Sequence, residues 1–122
     1  MQNPVGILSL ELGAALLYWL VFVVLETAAL QLVNWGSFQS CLKASLLANL
    51  ASGLIVALSL VWSPRFGVPG LIASLLLSVG IEGLVLTLLN PRVKRLNWLA
   101  AILANVGSFL ILILPVFLLT RR

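Results

Sequence analysis

The chain has 122 residues, of which 62% are hydrophobic and 8% charged, with a mean hydropathy of +1.22 and a formal net charge of +4. So little polar surface cannot cover a soluble globule, which excludes a water-soluble domain and indicates an integral membrane protein. The basic excess is no sign of a nucleic-acid partner, because most of its residues flank apolar stretches instead of forming a patch.

The first apolar stretch runs from roughly residue 5 to 33, longer than the ~20 residues a helix needs to cross hydrocarbon, so it is expected to tilt or project. Its start lacks a basic segment and a convincing cleavage site, so the expectation is a retained helix and no cleaved signal peptide. Glu11 lies early in this stretch, where a helix dipole favours a negative charge at the interface; a proton relay is the sharper alternative. In that early glutamate alone the chain is similar to small four-helix exporters. None of their other signatures is present, and no site is carried over.

A connection from Asn34 to Cys41 leads to the second stretch, roughly 42 to 62. Ser63 to Gly67, with Pro64, separates it from the third, roughly 68 to 89. Asn90 to Arg95, opened by Asn90-Pro91, leads to the fourth, roughly 96 to 119. These connections leave no room for an extramembrane domain. The expected fold is therefore an all-α membrane protein, a single multi-pass domain over residues 1–122 in a lipid bilayer. Nothing in the chain names the membrane.

Positive groups divide between the two faces, with Lys43, Arg92, Lys94 and Arg95 on one and Arg65, Arg121, Arg122 and the terminal amine on the other, so the positive-inside count nearly ties. Arg92, Lys94 and Arg95 read as a helix boundary meeting lipid phosphates, with docking of an anionic lipid or soluble partner as the alternative. Trp35, Trp98 and Trp62 fall near the faces, as interfacial anchors do, and Trp19 lies deeper, where packing is expected. Cys41 has no second cysteine for an intramolecular disulfide.

The scarce polar residues of the spans recur. Sliding the sequence by 56 positions pairs Glu26 with Glu82, Asn34 with Asn90, Asn49 with Asn105 and Ser52 with Ser108. Coincident leucines carry little weight in such a chain, whereas coincident Glu, Asn and Ser carry much. The expected architecture is thus four transmembrane helices in two tandem hairpins, about 5–62 and 68–119. Each repeat contains two spans, so the copies share one orientation and a pseudo-two-fold axis runs along the membrane normal.

The midpoint of each Glu-to-Asn interval falls in a turn, which sets carboxyl and carboxamide at one depth on antiparallel legs. Eight residues separate Glu82 from Asn90, or roughly 12 Å at ~1.5 Å per residue, so the carboxyl lies within the hydrocarbon. A carboxylate there needs a partner, a proton or a water-filled path. Ala44, Ala48 and Ser52, like Ala100, Ala104 and Ser108, form stripes of small residues that would let the second and fourth helices meet. Gly70, Ser74 and Ser78 lead along the third helix towards Glu82.

Two functions fit this constellation. In the first, Glu26, Asn49, Ser52, Glu82, Asn105 and Ser108 are interhelical glue in an accessory, assembly or scaffold subunit, with a membrane-protein partner or a homo-oligomer. In the alternative, Glu26 and Glu82 are proton or cation sites of a small transporter or channel. No cofactor is expected: the chain has no His and a single Cys and Met, a poor set for haem or metal clusters. Pigment magnesium held by Glu or Asn is the weaker possibility. An enzyme is not expected, since no Ser-His, Cys-His or metal-binding His arrangement can be assembled.

Overall fold

A computed structural model of the chain describes residues 3–60 and 67–120, with side chains outside 55–60 and 120. The expectations for Trp62, Pro64, Arg65, Arg121 and Arg122 lie outside the described residues. The described chain is helical throughout: α1 (Pro4–Leu32), α2 (Phe38–Leu60), α3 (Gly67–Leu89), a 3-10 turn (Pro91–Val93), α4 (Lys94–Ser108), a π-helical turn (Phe109–Ile113) and α5 (Leu114–Thr120). Among the described residues three segments, Pro4–Leu32, Gly67–Leu89 and Pro91–Leu119, are long and apolar enough to cross a membrane. The second expected span corresponds to α2, 23 residues long, which borders the undescribed stretch.

Local chemistry sets the helix ends. Asn3 caps α1, its side-chain oxygen accepting from the Val5 N–H at 3.2 Å, and Pro4 occupies the first turn, where a missing N–H costs nothing. At the other end Asn34 adopts φ 54°, in the left-handed region, and its N–H bonds the Gln31 carbonyl while that of Trp35 bonds the Leu30 carbonyl, both at 3.0 Å. This is a Schellman closure, completed by Trp35 and Leu30 sharing one apolar cluster. The Ser37 hydroxyl then accepts from the Ser40 N–H and starts α2 at Phe38. The helix therefore begins before residue 42, and Cys41 sits inside its first turns, buried.

The α3–α4 turn is built differently. Asn90 precedes Pro91, whose ring disfavours the helical region for its neighbour, and Asn90 lies outside that region at φ −142°, ψ 79°. The 3-10 turn follows directly. Further on, Pro115 interrupts what the hydropathy presents as an unbroken fourth helix. Its ring crowds the carbonyl four residues back and offers no N–H, and the preceding turn widens so that the Leu114 N–H bonds the Phe109 carbonyl. Into this widened turn the Tyr18 hydroxyl of α1 donates to the Leu112 carbonyl at 2.8 Å.

The helices pack as a ring in which α1 and α3 each neighbour both α2 and α4. Helices α2 and α4 stand on a diagonal, which corrects the expectation that they meet along their small residues. Ala44 and Ala100 are buried all the same, in one cluster with Leu30 of α1 and Leu86 of α3. The alanines make room for leucines from the neighbouring helices, a large-to-small fit that fills the core. Away from this core, the large apolar side chains of α1 from Val5 to Leu17 are exposed.

Candidate functional site: a buried carboxyl and amide layer

Glu26 on α1 and Glu82 on α3 are 2% and 3% exposed. Asn49 of α2 donates through Nδ2 to Glu26 Oε2 and, at 3.0 Å, to the Ser45 carbonyl one turn back. Asn105 of α4 does the same, donating to Glu82 Oε2 and, at 2.8 Å, to the Ala101 carbonyl. An amide nitrogen has two hydrogens, and both are used at each site. The bond to its own helix fixes each asparagine's rotamer, and the other hydrogen points across to the carboxyl.

The serines are used unequally. Ser52 donates to Glu82 Oε1 at 2.8 Å, joining α2 to α3. Ser108 donates to the Ala104 carbonyl of its own helix at 2.7 Å. Glu82 therefore has a donor on each oxygen, whereas Glu26 Oε1 is buried without a hydrogen-bond partner. The structure thus brings Glu26, Asn49, Ser52, Glu82 and Asn105 into one bonded layer and leaves Ser108 buried beside it.

The electrostatic partner acting on Glu26 is the other carboxyl, Glu82, and among the described residues no Lys or Arg pairs with either. Lys43, Arg92, Lys94 and Arg95 are all exposed, the last three around the α3–α4 turn, where they are open to phosphates or a partner. Among the described residues no three His, Cys, Asp or Glu side chains gather as a metal-binding group.

A second polar contact closes the end nearer the turns. Trp35 donates through Nε1 to Asn97 Oδ1 at 2.6 Å, and Asn97 donates to the Asn90 carbonyl at 2.8 Å. Trp35 is buried, so it ties the α1–α2 turn to α4 and is no interfacial anchor; its N–H finds a protein acceptor in place of headgroups or water. Leu30, Ala44, Leu86, Ala100 and Ala101 fill the level below it. Trp98 remains partly exposed, its ring lying over Gly83 so closely that a Cβ there would overlap it. Trp19 is half-buried and, with Asn49, Leu50, Gly53 and Leu54, lines an open apolar groove of about 350 Å³ between α1 and α2.

Sequence reasoning missed several contributors. Ser45 donates to the Val23 carbonyl across the α1–α2 contact at 2.8 Å, and Thr27 donates to that same carbonyl at 2.7 Å. Neither residue is duplicated at the 56-residue spacing, so the repeat carries no sign of them. Asn97 had a signal, a lone amide near the start of an apolar stretch, but its partner Trp35 is 62 residues away. Compared with known proteins, the chain matches no family model, no curated protein and no solved structure, and what the layer does follows from its own atoms.

Proposed function

We propose that the chain is a multi-pass membrane protein serving as an accessory, assembly or scaffold subunit of a larger membrane complex. Its polar layer is interhelical glue between two tandem hairpins, α1–α2 and α3–α4, related by a pseudo-two-fold axis along the membrane normal. The observation that carries this reading is the pairing of each carboxyl with an asparagine on the neighbouring helix, inside a core closed by Trp35 and Asn97. Corresponding bonds to the carbonyls of Ser45 and Ala101, and the placement of Leu30 with Leu86 and Ala44 with Ala100 in one cluster, support the duplication.

A polar layer of this kind gives register and specificity more than stability, since interhelical hydrogen bonds in membranes contribute about 1 kcal/mol or less each. The surface offered to a partner is the apolar half of α1 from Val5 to Leu17, which no other described helix covers. Native purification in mild detergent with mass spectrometry tests this function. A defined set of co-purifying membrane proteins is the expected result, and recovery only as a lone monomer or homodimer overturns the subunit role.

The alternative, proton- or cation-coupled transport through Glu26 and Glu82, is favoured by one observation, the unpartnered oxygen of Glu26. Flux in liposomes separates the two readings. The double variant Glu26→Gln, Glu82→Gln abolishes coupled flux if the carboxyls are transport sites and leaves partner recovery as the informative readout if they are glue.

A further inference from the structure

The carboxyl pair is short of both charge and donors. Two ionised carboxylates present four oxygens, and the layer supplies three side-chain donors: Asn49 to Glu26, and Ser52 and Asn105 to Glu82. Glu82 is satisfied on both oxygens, as an ionised carboxylate requires. Glu26, 2% exposed, has one oxygen with nothing to accept from. Among the described residues, the polar groups of the layer beside it are Ser45, Asn49 and Ser52 on α2, Glu82 on α3, and Asn105 and Ser108 on α4. Glu82 is the only titratable group among them, and among the described residues no Lys or Arg acts on Glu26. A proton on Oε1 removes one buried charge, the larger cost, and ends the orphaned oxygen's need for the strong donors an ionised carboxylate requires.

We infer that Glu26 and Glu82 form a proton-binding pair that holds a single proton, carried on Glu26 Oε1, while Glu82 is the fixed ionised member. The matched glutamates therefore have different roles, and the difference is made by Ser52, which reaches Glu82 while Ser108 turns back to its own helix. This assignment holds whether the chain is a scaffold or a carrier, and its test reads protonation, independent of partners or flux.

Infrared spectroscopy of the protein in liposomes at neutral pH measures it, in a Glu11→Gln background that leaves only the two core glutamates. A carboxylic-acid C=O band from one side chain is expected, lost completely in Glu26→Gln and kept, with a shifted frequency, in Glu82→Gln. A second measurement needs no core variant. A hydrophobic carbodiimide adds across a protonated carboxyl: the acid proton moves to a carbodiimide nitrogen, the carboxyl oxygen bonds the central carbon, and the product rearranges to a stable N-acylurea. Peptide mass spectrometry should find the adduct on Glu26 and not on Glu82. An adduct on Glu82 alone, an acid band that survives Glu26→Gln, or no acid band at neutral pH overturns the assignment. A band abolished at constant pH by sodium or potassium ions overturns it in favour of a metal cation.

Discussion

Asn34 and Asn90 each lie within two residues of the end of a helix, and their backbones differ completely. Asn34 sits in the left-handed region that a residue other than Gly or Asn enters at a cost of about 1–2 kcal/mol, whereas Asn90 keeps a negative φ and is held out of the helical region by Pro91. Asn34→Ala should therefore lower stability by about 1 kcal/mol and Asn34→Gly should not, while Asn90→Ala should stay within about 0.5 kcal/mol. Unfolding in mixed micelles, followed by circular dichroism, distinguishes these outcomes. The serines offer a second contrast. Ser52→Ala strands a Glu82 oxygen and should cost about 1 kcal/mol or more, whereas Ser108→Ala removes only a bond within its own helix and should cost under about 0.5 kcal/mol. Equal losses from the two would show that Ser52 contributes nothing special.

Among the elements, hydropathy and proline placed the helices well, because long apolar runs and Pro91 have only one reading in a bilayer. Details set by single hydrogen bonds were less legible. The Ser37 cap starts α2 before the apolar run begins, and Pro115 produces a π turn that hydropathy cannot register, since the residues around it are uniformly apolar. Tyr18 stands 56 residues before Ser74, so the repeat is not kept at this position, and it anchors α1 to that turn. Tyr18→Phe should cost about 0.6 kcal/mol. The α3–α4 contact depends on the absence of a side chain at Gly83. Gly83→Ala should displace the Trp98 ring, cost about 1–3 kcal/mol and shift tryptophan emission to the red; an unmoved spectrum would mean that the ring does not pack there.

For the molecule as a whole, the pairing of Glu26 with Asn49 and of Glu82 with Asn105 was legible because antiparallel legs convert equal distance from a turn into equal depth. The order of helices round the ring was not. Small-residue stripes announce close packing without naming the partner, and here Leu30 and Leu86 fill the space opposite Ala44 and Ala100. The inequality of the two glutamates was equally hidden, because Ser52 and Ser108 match in sequence and differ only in where their hydroxyls point. If the layer sets the register of a subunit, Asn49→Leu should reduce co-purified partners several-fold at equal expression, as quantified by mass spectrometry. Ser108→Ala should leave them unchanged. The claim that the layer itself joins the helices is tested most directly by a double-mutant cycle on Ser52 and Glu82, using Ser52→Ala and Glu82→Gln. A coupling of about 1 kcal/mol is predicted, and strictly additive losses would contradict it.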